Sequence, residues 1–92
     1  MYKVLLVDDE RLELNTLKNY VDWKKLGIGA VYTANNGLQA LETADFKKPD
    51  IVFTDIRMPV MDGITMTMEV RKDYDFPIIF LKRRTVFTGA VF

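Results

Sequence analysis

The sequence predicts an α/β fold in which a mainly parallel, open sheet is wound on both faces by helices. Three observations predict it. Apolar runs of strand length recur at Val4-Leu5-Leu6-Val7, Ala30 to Thr33, Ile51-Val52-Phe53-Thr54 and Ile78-Ile79-Phe80-Leu81. Segments with helical spacing of apolar residues alternate with them, joined by short connections. The first and third runs both stop at carboxylates, Asp8-Asp9-Glu10 and Asp55.

Val4 to Val7 is a continuous apolar run, as a strand buried on both faces requires. From Asp8 to Asp22 the period changes, with Leu14, Leu17 and Val21 on one helical face and Tyr20 beside them. Asp8 or Asp9 is expected to cap this helix, and Glu10 suits its first turn. Gly27 and Gly29 are expected to close the next segment, where Trp23 and Leu26 staple the helix end onto the domain. A second helix opens at Asn35-Asn36-Gly37, with Asn36 as N-cap and Leu38, Leu41 and Ala44 facing inward. Pro49-Asp50 breaks the chain before the third strand. A loop with Met58-Pro59 and Asp62-Gly63 follows, and a third helix is expected from about Gly63 to Lys72. Met58 and Met61 read as loop packing, and Met66 and Met68 as core or half-core filler. Pro77 precedes the fourth strand.

Composition narrows the chemistry. The 92 residues suffice for one small domain, and 49% hydrophobic with 28% charged residues is an ordinary globular balance. Thirteen basic residues match thirteen acidic ones, which gives no reason to expect unaided binding to nucleic acid or a membrane surface. With no cysteine and no histidine, thiolate sites, His-liganded zinc and imidazole acid–base catalysis drop out. Carboxylates, hydroxyls, Lys and Arg remain. The apolar run after Met1-Tyr2-Lys3 is too short for a signal sequence or a membrane span, so a soluble, cytoplasmic protein is expected.

In doubly wound sheets, ligands bind beyond the carboxyl ends of the strands, where the winding reverses. If strands one and three are neighbours, Asp8, Asp9 and Asp55 share one pocket. Three like charges repel there, and a hard divalent cation relieves them. Mg²⁺ takes oxygen ligands, typically one or two carboxylates plus phosphate oxygens. A carboxylate beside such an ion can act as a nucleophile toward a phosphoryl group. Singly, each of these residues reads more readily as a helix cap or a loop start; together, at the ends of two buried strands, they point to function.

Val7-Asp8-Asp9-Glu10, Asp55 after Ile51-Val52-Phe53-Thr54, and Ile56-Arg57-Met58-Pro59-Val60-Met61-Asp62-Gly63 together resemble the receiver domains of two-component response regulators. Asn36-Gly37-Leu38-Gln39-Ala40-Leu41 is similar to that family's second-helix start, and the resemblance runs in order from residue 2 to residue 81. Asp22-Trp23-Lys24-Lys25-Leu26-Gly27-Ile28 resembles members whose receiver precedes an arabinose-regulator-type helix-turn-helix domain. The resemblance implies the flavodoxin-like receiver fold. It implies that Asp55 accepts a phosphoryl group from a sensor histidine kinase, and that Asp8, Asp9, Asp55 and the backbone carbonyl of Arg57 hold Mg²⁺. Pro59 and Gly63 would shape the loop.

After Leu81 the resemblance stops at Lys82-Arg83-Arg84-Thr85. The family's hydroxyl after strand four and its later lysine have no evident counterparts. Lys82 and Thr85, or Thr88, are the candidate substitutes for phosphoryl contacts. The expectation is therefore a receiver core of four strands and three helices over residues 1–81, lacking part of the C-terminal β-α units. A divergent tail over 82–92 would form an extra strand or an arm swapped between protomers, and self-association is expected. Transcription regulation would need an output domain outside these residues, and no direct DNA contact is expected from this chain.

Two other readings stand beside the phosphoacceptor. One is a non-phosphorylating pseudo-receiver or a truncated fragment, serving as a dimerisation or docking module. The other is a Mg²⁺-dependent phosphohydrolase of the haloacid-dehalogenase type. That type wants a second Asp two residues after the nucleophile, where this chain has Asp8 and Glu10, and it leaves the loop from Ile56 to Gly63 unexplained.

Overall fold

The fold is seen in a computed structural model that describes residues 1–58 and 60–81. Pro59 and the whole segment 82–92 lie outside the described residues, and with them the expectations placed on Lys82, Thr85, Thr88 and the tail.

The elements run β1 (Tyr2–Val7), α1 (Arg11–Tyr20), a 3₁₀ turn (Lys24–Leu26), β2 (Ile28–Ala34), α2 (Gly37–Lys47), β3 (Ile51–Asp55), α3 (Gly63–Val70) and β4 (Ile78–Leu81). The four strands are all parallel, in the order β2-β1-β3-β4. The chain moves from β1 outward to β2, then returns past β1 to β3. With right-handed crossovers, that reversal sends α1 to one face and α2 and α3 to the other.

Alternation along the strands builds a core on each face. Leu5, Val7, Ala34 and Val52 pack with Ala40, Met66 and Val70 under α2 and α3. Val4 and Leu6 pack with Leu14 under α1, joined by Leu17, Trp23, Ile51 and Phe53. Val4 through Val7 are thus buried on both sides of the sheet, as the unbroken apolar run requires.

Several local expectations are corrected. Neither Asp8 nor Asp9 is the N-cap of α1; Glu10 holds that position, and the Asp8 carboxylate accepts the Glu10 N–H at 3.0 Å. Tyr20 is exposed, because it sits six residues from Leu14 and so points well off the inner face. Val21 falls past the helix end in an extended conformation. Gly29 lies inside β2, which is longer than the Ala30-to-Thr33 run, while Gly27 ends the 3₁₀ turn at φ 83°. Trp23 does staple the α1 exit: its Nε1–H donates to the Lys18 carbonyl at 2.9 Å and its ring meets Phe53 at 6.4 Å. Leu26 is exposed and takes no such part.

In α2, Asn36 caps as expected, its side chain accepting the Gln39 N–H at 2.8 Å. The buried face is Gly37, Ala40 and Ala44, with Leu41 partly buried; Leu38 is exposed because it lies about 200° around the helix from Ala40. The same geometry divides the methionines of α3. Met66 is fully buried, and Met68, two positions on, faces solvent. α3 ends at Val70 rather than Lys72, and residues 71–73 form a turn. Met58 and Met61 pack against the α2/α3 core as loop packing.

The start of α3 is fixed by two neighbouring residues. Asp62 is its N-cap and accepts the Thr65 N–H at 2.7 Å, and that backbone hydrogen bond holds the Asp62 carboxyl below the usual carboxylate range. At Gly63 an added Cβ would overlap the Asp55 carbonyl oxygen, while the Gly63 N–H donates to the Ile56 carbonyl at 2.7 Å.

Two outcomes are expected. Gly63→Ala gains about 1 kcal/mol of helix propensity but must displace backbone rather than a mobile side chain, so the net result is a loss of about 1–3 kcal/mol. Thermal unfolding followed by circular dichroism should then show Tm lowered by about 4–8 °C for each kcal/mol lost; an unchanged Tm would show that the helix start can move freely. For Asp62 the folded pKa is depressed below its ordinary value of 3.8. Its capping contribution is therefore full above that value and lost as the pH falls through the lower folded value. In Asp62→Asn that acid-side loss should disappear when denaturant midpoints are compared between pH 5 and pH 2.

Candidate functional site

The site follows from strand register. β1 pairs with β3 through Val4↔Ile51, Leu5↔Val52, Leu6↔Phe53 and Val7↔Thr54. One residue further on, Asp8 comes level with Asp55. The Asp8 N–H is held by the Ala34 carbonyl of β2 at 3.1 Å, so β2 also anchors the end of β1. Asp8, Asp9 and Asp55 each present a carboxylate oxygen, and these oxygens lie within 4.8 Å of one another. They sit at the carboxyl ends of β1 and β3, at the reversal of winding where such sheets place their ligands.

Burial is graded across the three. Asp55 is buried, at 5% exposure; Asp8 is half-buried and Asp9 is exposed. One Asp55 oxygen, Oδ1, accepts the Ile56 N–H at 2.8 Å, which fixes the carboxylate against its own loop. The adjacent Thr54 is also buried, and its hydroxyl donates to the Asp55 carbonyl at 2.9 Å. Two unit charges 4.8 Å apart repel by about 3 kcal/mol at an effective dielectric of about 20, and by less where solvent reaches them. An all-carboxylate set of this size fits a hard, oxygen-seeking divalent cation, and lacks the nitrogen or sulfur ligands that softer metals favour.

Arg57 is exposed two residues beyond Asp55, and Gly63 returns the chain to the Asp55 carbonyl. The structure therefore brings together Asp8, Asp9 and Asp55, with Gly63 packed against the last. Pro59, Lys82 and Thr85 are outside the described residues. Two features of the site were missed in the sequence. The capping role of Asp62 was foreshadowed by Asp-Gly at the helix start. Nothing in the sequence signalled the left-handed backbone of Val60, at φ 72°.

Comparison with known proteins agrees with this geometry. The family described as the response regulator receiver domain matches residues 4–87. Over 70 residues the chain is 43% identical to the uncharacterized transcriptional regulatory protein YesN of Bacillus subtilis, covering 76% of this chain and 19% of that protein. Over 81 residues it is 38% identical to an uncharacterized response regulatory protein of Staphylococcus epidermidis, covering 88% of this chain and 32% of that one. The chain thus spans less than a third of the length of these relatives. Among solved structures, a two-component transcriptional regulator AraC from Clostridium phytofermentans superposes with a TM-score of 0.82 at 36% identity, over 87% of this chain and 63% of that one. The response regulator domain of Thermotoga maritima CheB gives a TM-score of 0.78 at 32% identity, over 87% and 59%. With the sheet order, the acidic cluster and the match across residues 4–87 in agreement, this chain belongs to the response regulator receiver domain family.

Proposed function

We propose that the chain is the phosphoacceptor module of a two-component response regulator, in which Asp55 takes a phosphoryl group from a sensor histidine kinase. The observation that supports this reading is the convergence of the Asp8, Asp9 and Asp55 carboxylate oxygens within 4.8 Å, with Asp55 the buried member. A carboxylate oxygen of Asp55 attacks phosphorus. The bond from phosphorus to the donor nitrogen breaks, its electron pair stays with the departing imidazole, and an acyl phosphate remains on Asp55.

Asp8, Asp9 and Asp55, with the Arg57 carbonyl, are the residues that would hold Mg²⁺. When bound, the ion supplies positive charge beside the acidic cluster and the incoming phosphoryl oxygens. The chain's own residues do the positioning. The Ile56 N–H fixes Oδ1 of Asp55, and the β1/β3 register holds Asp8 level with Asp55. Lys82 and Thr85 are assigned here as the candidate contacts to the phosphoryl oxygens, and Pro59 and Gly63 as the residues that shape the loop. The reaction is a signalling modification, not turnover of a small-molecule substrate.

The location that goes with this partner is the cytoplasm; among the described residues no helix is long and apolar enough to cross a membrane. DNA contact falls to a separate output domain, in line with the transcription regulators among the relatives. Self-association belongs to the same reading. No described strand pairs with the outer side of β4, where Ile79 and Phe80 are exposed, and such edges favour pairing between chains.

Two measurements test these assignments. Intact mass after incubation with Mg²⁺ and acetyl phosphate should show one added phosphoryl group on the native chain and none on Asp55→Asn. Equal labelling of both would move the acceptor elsewhere, and no labelling of either would retire the phosphoacceptor reading. Sedimentation equilibrium across a concentration series should show a reversible dimer; one monomeric species throughout would rule out self-association.

A further inference from the structure

A cavity of about 330 Å³ opens between α2 and α3. It lies at the far end of the sheet from the acidic cluster. Each helix runs back along the strands, so the last turns of α2 and α3 come to the amino ends of β3 and β4, whereas Asp55 ends β3. Leu41 and Ala44 of α2 and Val70 of α3 give the cavity an apolar floor. Ala44 and Val70 are buried and Leu41 is half-buried. Tyr74 also lines it, and its hydroxyl donates to Asp45 Oδ1 at 2.7 Å and accepts from Lys48 Nζ at 2.9 Å. That pair of bonds ties the last turn of α2 to the segment after α3 and holds the groove at its width.

The other lining residues are all carboxylates: Glu42 and Asp45 on α2, Glu69 on α3 and Asp73 in the turn after it. Asp45, Glu69 and Asp73 stand at or just past helix carboxyl ends, where the macrodipole disfavours negative charge, and the last turn of α3 holds no basic residue. Lys48 reaches Asp45 at 3.9 Å and Lys72 reaches Glu69 at 3.2 Å, and both pairs are exposed. Glu42 and Asp73 form no ion pair among the described residues. This chemistry selects a class of partner. Nucleic acid and anionic lipid are repelled. The carboxylates are spread along the groove, while the described carboxylates that converge closely enough for an ion are Asp8, Asp9 and Asp55. The cavity stands at the lower limit of small-molecule clefts, which run to roughly 300–1,000 Å³, a size that suits one anchoring side chain better than a whole cofactor.

We propose that the α2/α3 groove docks a basic peptide segment of a partner protein, with an apolar side chain of the segment over Leu41, Ala44 and Val70 and its flanking Arg or Lys residues against Glu42 and Asp73. The apolar floor supplies the anchor, as in other grooves between helices. The carboxylates steer the segment in and reject acidic ones, so charge sets the association rate and the partner choice more than the final affinity. The surface is independent of the phosphoacceptor reading, because the groove and Asp55 lie at opposite ends of the strands.

The test is an NMR titration of the isotope-labelled chain with three synthetic peptides: a leucine flanked by arginines, the same peptide with glutamates for the arginines, and the same with serine for the leucine. The arginine–leucine peptide should shift the amide signals of Leu41, Ala44, Val70 and Tyr74 and leave those of Asp8, Asp9 and Asp55 in place. The glutamate peptide should shift none of them, and the serine peptide should bind more weakly. Glu42→Gln combined with Asp73→Asn leaves the Tyr74 bonds to Asp45 and Lys48 intact. This double variant should keep the native spectrum and weaken the arginine–leucine peptide about three- to tenfold, as the loss of two exposed charge pairs predicts. Shifts centred on Asp8, Asp9 and Asp55, or none in the groove, would overturn the proposal. Equal binding of the glutamate peptide would remove charge as the selector, and equal binding of the serine peptide would remove the anchor; either result overturns it too. An undiminished affinity in the double variant would do the same.

Discussion

The parallel pairing of β1 with β3 is the constraint on which the rest of the structure depends. Its register carries no functional residue of its own: Val4 to Val7 face Ile51 to Thr54. Yet it alone decides that the carboxylates following Val7 meet the carboxylate following Thr54. A slip by one residue would turn each apolar side chain of β1 to the opposite face. That slip is opposed on both sides at once, because Leu5 and Val7 belong to the core under α2 and α3 while Val4 and Leu6 belong to the core under α1. A strand buried on one face only would resist through half as many side chains.

That double burial also makes the acidic cluster affordable. Fully burying a side chain such as Val or Leu contributes about 1.5–3 kcal/mol, so the four of β1 together supply about 6–12 kcal/mol, the same order as the mutual repulsion of all three carboxylates at an effective dielectric of about 20. The charges are confined to the strand ends, where Asp9 is open to solvent and only Asp55 is buried. The fold therefore tolerates a concentration of like charge that would be untenable within the core, and that charge gives the pocket its preference for cations.

Much of this was legible in the sequence because it depends on periodicity and punctuation. The run Val4 to Val7 could be read as buried on both faces, Pro77 marked the start of β4, and Asn36 announced a cap. The convergence of Asp8, Asp9 and Asp55 needed one further assumption, that strands one and three are neighbours, and the sheet order β2-β1-β3-β4 supplies it. What was not legible was finer. Leu38 and Met68 look like core residues by composition, but each lies two positions from a truly buried residue, Ala40 and Met66, and faces outward. Small residues on α2, which let the helix approach the sheet, give a weaker apolar signal than the leucine beside them. The N-cap of α1 shifted to Glu10 because the Asp8 carboxylate bonds the backbone two residues on, an alternative that aspartate offers as readily as capping.

Val60 belongs to a different class of omission. Backbone strain leaves no mark in hydrophobic pattern, and valine at this position reads as an ordinary loop residue. Its conformation follows from distant demands: Asp55 must end β3 in register with β1, and Gly63 must begin α3 against the Asp55 carbonyl. Sequence reasoning works outward from each residue, whereas loop closure is imposed from both ends inward. Where local preference loses to closure, the pattern of residue types carries no trace of the outcome. Among the described residues, Val60 follows the buried Asp55 by five positions and precedes the start of α3 by three, so its conformation is bounded by both ends at short range.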